Sequence, residues 1–167
     1  MRFRTIASCL VVLLWATVAA AQPTKISGTA QCSKPEAQHA IPVGDQPNHL
    51  YGVSKVACTW TKPLMIAGTP TKDATNAGFD DIAGAIAKGH GLHVSKLASG
   101  DEFHVRYQGS SSLKENTVQT AEGTWMFIAG TGKVTGIKGK GTYKGKANPD
   151  GTFTYDVEGE YELPKKP

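Results

Sequence analysis

Residues Gly136–Leu163 read GIKGKGTYKGKANPDGTFTYDVEGEYEL, and the turn at their centre decides the fold. Pro149 presets φ for the first corner position, Asp150 suits the second, and Gly151 can take the positive φ of the third. This is a type I turn followed by a glycine bulge, a three-residue hairpin loop. It makes Asn148 and Thr152 the first facing pair. On one face the pairs run Lys146–Thr154, Lys144–Asp156, Thr142–Glu158, Lys140–Glu160 and Lys138–Glu162. On the other they run Ala147–Phe153, Gly145–Tyr155, Tyr143–Val157, Gly141–Gly159, Gly139–Tyr161 and Ile137–Leu163. A slip of one residue would set lysines against aromatics, so turn chemistry and face composition specify one register. The charged face meets water, its lysines opposing carboxylates. The apolar face carries recurrent glycine, with Tyr155 over Gly145 and Tyr161 over Gly139. Glycine on the inner face of a bent hairpin suits a small closed barrel better than an open sheet.

Working outward, Gly130-Thr131-Gly132-Lys133 turns the chain into this hairpin from a strand over Thr117–Ala129. That strand has Trp125 and Phe127 on one side and Met126 and Ile128 on the other, so it is covered on both faces or lies at an interface. Leu92–Leu97 and Glu102–Leu113 form a second hairpin. A two-residue turn at Ser99-Gly100 would pair Leu92 with Tyr107, Val94 with Val105 and Lys96 with Phe103. Its inner set is Phe103, Val105, Tyr107 and Leu113, and it places His93 and His104 together on the outer face. Further back, Asp80–Lys88 is a strand or a loose turn, with a short helix as the alternative that Phe79, Ile82 and Ile86 would allow. Gly68–Gly78 is turn-rich, and Leu64–Ala67 is a short apolar run. His49–Trp60 is a long strand whose inner face is unassigned. Ser33–Asn48 is mostly loop with a short strand at Ala40–Val43, and Thr24–Gln31 is the first strand. About eight strands with short turns mean a sandwich or a barrel.

The first 21 residues are set apart. Arg2 and Arg4 precede an apolar run over Ile6–Ala20, and Ala19-Ala20-Ala21 fits a small-residue cleavage site. This predicts a signal-peptide helix over 1–21, too short for a membrane span, and a single domain over 22–167. Export to a periplasmic or extracellular space follows, with no stable membrane insertion after cleavage. The full chain has a formal charge of only +4. Two of the positive charges fall in the leader, which points away from nucleic acid. Of three cysteines, Cys9 lies in the leader. Cys32 and Cys58 remain, and an oxidising compartment predicts one disulfide between them, worth about 3 kcal/mol in the chain-entropy account.

No catalytic constellation emerges. Gly130-Thr131-Gly132-Lys133 lacks the flanking residues of a phosphate loop, with Phe127 and Val134 at the positions that need glycine and Ser or Thr. Lys138, Lys140, Lys144 and Lys146 oppose carboxylates and form a solvated face. The histidines have no metal-ligand spacing, so neither metal nor cofactor is implied. Asp45, His49 and Asp73 could line a barrel mouth, joined by Asp80 and Asp81. Adjacent carboxylates on a strand point to opposite faces, so the last two are not a ready acid/base pair.

The segment Gly123–Gly141, GTWMFIAGTGKVTGIKGKG, resembles the barrel strand pair of allene oxide cyclases and dirigent proteins. Those families carry an apolar strand, a GTGxF-like turn and a glycine-containing strand; Val134 stands here where an aromatic is usual. The second half also resembles small secreted bacterial proteins of an uncharacterised branch, with a GTGK…GIKGKGTYKG pattern. The resemblance implies an all-β fold, a single antiparallel barrel of about eight strands with lipocalin-type architecture, whose interior could hold a small hydrophobic ligand. It carries over no active-site residue, and it implies a homo-oligomer as an expectation to check. The function expected first is non-catalytic binding in the barrel interior or mouth, with Asp45, His49, Tyr107, Trp125, Tyr143, Tyr155 and Tyr161 as candidate residues. A structural or partner-binding barrel with a packed interior is the second reading. A cyclase or dirigent-like isomerase is the third.

Overall fold

The computed structural model describes residues 22–115 and 117–165, so the expected leader over 1–21 lies outside the described residues. The strands are β1 (Thr24–Cys32), β2 (Ala37–Pro42), β3 (His49–Lys62), β4 (Met65–Ile66), β5 (Thr69–Ala83), β6 (Ile86–Leu97), β7 (Glu102–Lys114), β8 (Thr117–Gly130), β9 (Lys138–Ala147) and β10 (Phe153–Glu162). From β5 to β10 the chain is a meander. β10 then pairs with β1, β1 with β3, and β3 with β5, which closes an eight-stranded antiparallel barrel. β2 extends the ring outside the closure, along the part of β3 that β1 does not reach.

The organising hairpin has the register its turn requires, from Phe153↔Ala147 through Glu162↔Lys138. Gly151 adopts φ 83°, and Asn148 and Thr152 close the loop with a 2.9 Å backbone bond. Lysines of β9 alternate outward with inward glycines and Tyr143. Tyr155 does lie over Gly145, but Tyr161 does not cover Gly139, whose close neighbours are backbone atoms of Glu160 and Tyr161. The carboxylates of β10 also turn elsewhere than expected. Lys144 faces Asp156 in register, yet Asp156 accepts a 2.8 Å hydrogen bond from Thr29 and Glu160 pairs with Lys25 at 2.6 Å. β10 lies between β9 and β1, and β1 competes for its acidic side chains.

The second hairpin departs from expectation by one residue. Leu92 faces Arg106, Val94 faces His104 and Lys96 faces Glu102. Its loop is Ala98-Ser99-Gly100, with Gly100 at φ 89°, and it is closed by Leu97 N–H to Asp101 O and Gly100 N–H to Leu97 O. This is the same glycine-bulge loop as in the organising hairpin rather than a two-residue turn. The inner set Phe103, Val105 and Tyr107 is retained, but the single step inverts β6. His93 therefore points inward, and only His104 is on the outer face. Gly68–Gly78 is not a turn region either. β5 runs through it because β3 and β6 supply ladders on both sides. A two-residue turn at 84–85, with Gly84 at φ 62°, joins β5 to β6, so the short-helix alternative falls.

One end of the barrel is solid. β4 folds Leu64 and Ile66 under it, and the 3-10 turn Gly132–Val134 brings in Val134 with Ile137. These pack against Ile26, Leu97, Phe103, Phe127 and Tyr161. Polar groups in the plug are satisfied: Thr71 accepts the Leu64 N–H at 3.0 Å and the Tyr161 hydroxyl accepts the Ala67 N–H at 2.9 Å. Cys32 and Cys58 face each other between β1 and β3 and are joined by the expected disulfide. Met126 and Ile128, opposite the buried Trp125 and Phe127, stand exposed on the outer wall.

Candidate functional site: the glycine-lined lumen

Above the plug the barrel is hollow, with a lumen of about 770 Å³. The space comes from the order of residues on the inner wall. One row of facing residues reads Gly52, Asp80, Gly89, Gly109, Gly123, Tyr143 and Val157 across seven strands. The row beneath it reads Gly78, Gly91, Tyr107, Trp125, Gly141 and Gly159. In small barrels the inward side chains normally fill the interior. Here glycine leaves most of two rows empty, and the few large residues lie down into the gap. The Tyr107 hydroxyl rests on Gly78 and Gly91, that of Tyr143 on Gly109 and Gly123, and the Trp125 ring on Gly141 and Gly159. A Cβ at any of these glycines would strike the ring or hydroxyl above it.

Laid flat, the phenols form a ladder. Tyr107 and Tyr143 meet edge to face at 6.1 Å between ring centres, and Tyr143 and Tyr155 at 5.9 Å. Phe153 continues it, 4.7 Å from Tyr155. Asp80 sits on the same wall with its carboxylate over Gly89. Burial raises the Asp80 pKa above the ordinary carboxylate value, against the pull of a nearby His90 charge. Burial, reinforced by the Asp80 charge, pushes Tyr107 up to about 12, with an Asn76 hydrogen bond opposing. Burial likewise pushes Tyr143 up to about 12, reinforced by Tyr107 and Asp80, and raises Tyr155 further. The Asn76 carbonyl oxygen is buried with no hydrogen-bond partner.

Deeper still, Trp60, Ser95 and His93 form a chain. The Trp60 indole donates to Ser95 Oγ at 3.0 Å, and Ser95 Oγ lies 3.0 Å from His93 Nε2. An indole N–H can only donate. Ser95 Oγ therefore accepts from Trp60 and keeps a lone pair and its own proton for the bond with His93 Nε2, which either tautomer of the neutral ring can make. Desolvation lowers the His93 pKa to about 4, so the ring is neutral.

Of the residues singled out from the sequence, Tyr107, Trp125, Tyr143 and Tyr155 line the lumen. Tyr161 is in the plug. Asp45 and His49 are on the outer side of β3, where His49 is held between Asp45 at 2.6 Å and Asp81 at 2.8 Å. Asp80 and Asp81 do face opposite ways. Sequence reasoning missed Asn76 and placed His93 on the outer face. The alternation Asn76-x-Gly78-x-Asp80, matched by Gly89-x-Gly91-x-His93, is the signal that could have found them. A larger concavity, about 1040 Å³, is an open trough on the outer wall edged by Arg106, Lys140 and Glu158. Among the described residues no group of three or more His, Cys, Asp or Glu could hold a metal ion.

The fold and this hollow interior define the class: a small antiparallel β-barrel with a half-plugged, aromatic-lined lumen. Among solved structures, the chain is similar to a protein of unknown function of the DUF3224 family from Shewanella oneidensis MR-1, with a TM-score of 0.54 at 14% identity, covering 87% of this chain and 100% of that one. At that identity the likeness concerns the fold alone. No protein-family model matches the chain, and no curated protein matches it in sequence.

Proposed function

We propose that this protein carries a small hydrophobic molecule in its lumen without transforming it, in the periplasm or outside the cell. The observation that carries this reading is the lumen itself. Its volume of about 770 Å³ falls in the range of small-molecule sites, roughly 300–1,000 Å³, and its wall is aromatic with a few convergent polar groups. The Cys32–Cys58 disulfide supports an oxidising compartment. The charged outer face of β9 and β10 differs from the apolar band of a transmembrane barrel. An allene oxide cyclase-like or dirigent-like barrel remains the family reading.

The test is titration with N-phenyl-1-naphthylamine, a neutral probe that brightens in apolar surroundings, together with native mass spectrometry of protein purified from its own host. Saturable one-to-one binding, and a small molecule retained across extracts, are the expected results. Non-saturable binding and an empty protein from every extract would refute the carrier. Isomerase activity is the second reading, favoured by Asp80 beside Tyr107 and Tyr143. It predicts that a retained compound changes its chromatographic retention on incubation with the protein.

A further inference from the structure

The polar groups of the lumen are lopsided in charge. From this we propose that the ligand is a small organic cation, an apolar or aromatic body bearing an amine or quaternary ammonium, with its charge held between Asp80 and the rings of Tyr107 and Tyr143. The inference rests on the carrier reading above and sharpens it.

Among the described residues, Asp80 is the only acidic one lining the lumen, and no lysine or arginine lines it. His93, whose imidazole lines the lumen, is neutral and engaged with Ser95. The Asp80 carboxylate makes no hydrogen bond or ion pair with a described residue, and the one charge that acts on it is that of His90, which does not line the lumen. A half-buried carboxylate without a partner is costly, and buried charges in proteins are ordinarily paired. The position is not forced by packing, because Asp80 occupies a gap that Gly89 leaves open. On the lumen side, the described residues supply the anion and no cation to face it.

The surroundings suit an ammonium. Successive tyrosine rings stand at interplanar angles of 88° and 68°, so the wall turns π-faces in more than one direction, as a cation cage requires. A fatty acid or other anion would meet Asp80 with no positive group to hold it. A neutral body would leave the carboxylate as it is.

The experiment uses three compounds with one body: 4-phenylbutylamine, 4-phenylbutanol and 4-phenylbutanoate, titrated calorimetrically at neutral pH into the full chain. The amine is expected to bind roughly tenfold or more tighter than the alcohol, and the carboxylate more weakly than either. Asp80→Asn should bring amine and alcohol within about twofold of each other. An alcohol that binds as well as the amine overturns this inference and leaves the carrier reading standing. So does a preference that survives Asp80→Asn, or an amine that fails to bind where N-phenyl-1-naphthylamine succeeds. If none of the four compounds binds, both readings fall. Should Asp80→Asn not fold, the series on the unmodified chain decides alone.

Discussion

Gly78→Ala tests the seating of Tyr107 on the barrel wall. A Cβ at Gly78 would land on the Tyr107 hydroxyl oxygen, while the next nearest atoms, His90 O and Tyr107 Cζ, lie at 3.5 and 3.6 Å. One oxygen atom therefore decides the cost. Overpacking of this kind costs about 1–3 kcal/mol. Replacing a strand glycine returns about 0.5–1 kcal/mol through the unfolded chain. The net loss should be about 1–2 kcal/mol, a fall of roughly 2–8 °C in Tm for a domain of this size. In a Tyr107→Phe background the oxygen is gone and the methyl fits at ordinary contact distance. There the same substitution should be neutral or slightly stabilising. Urea unfolding of the four proteins closes the cycle, with an expected coupling of about 1–3 kcal/mol. A coupling below about 0.5 kcal/mol, or an equal loss in both backgrounds, would mean that Tyr107 does not lie on Gly78 and that the glycine rows are not seats.

Asp80→Asn should stabilise the protein at neutral pH and leave it unchanged near pH 3. The folded pKa lies above the unfolded value of 3.8, so the unfolded chain ionises first and stability is lost as pH rises through that window; parallel unfolding curves at both pH values would contradict this. By NMR, the His93 imidazole should titrate near pH 4, whereas His49, raised above 6.5 mainly by its hydrogen bond to Asp45 and then that to Asp81, should titrate above that value. The stability His49 contributes is present below pH 6.5 and lost as pH climbs through its folded pKa, so His49→Gln should flatten the alkaline side of the stability profile. Replacing both Cys32 and Cys58 by alanine should lower the unfolding free energy by about 3 kcal/mol, read from full denaturant curves in which the m-value rises as the unfolded chain loses its cross-link.

The register of the last hairpin was legible because Pro149-Asp150-Gly151 admits one loop and the lysine and aromatic faces admit one phase. The other hairpin was not, because Ala98-Ser99-Gly100 lacks the proline that marks where a turn begins. Ser99-Gly100 alone fits a tighter turn as well as the bulged loop observed. That single step moved His93 from the surface to the interior and hid the Trp60–Ser95–His93 chain. The length of β5 was hidden for a different reason. Pro70, Lys72, Asp73, Asn76, the alanines and Gly78 have little strand preference of their own, and two flanking ladders override it. Four of the seven candidate site residues reach the lumen because large aromatics on inward positions have nowhere else to go. Asp80 and the glycine rows depend on the alignment of residues from seven strands, which local pattern does not contain.

The ring is sealed by its two ends. β1 and β10 lie side by side from Thr24↔Tyr161 to Cys32↔Phe153, so the lumen has no complete wall until β10 has been made. The sulfur link from β1 to β3 needs only the first third of the chain. It can therefore fasten the earliest strand to its neighbour while the other edge of β1 still waits for a partner. An unfinished barrel would then present that edge as a fixed docking rail for the final strand, and a truncation that removes β10 would leave an exposed backbone ladder prone to recruiting another molecule.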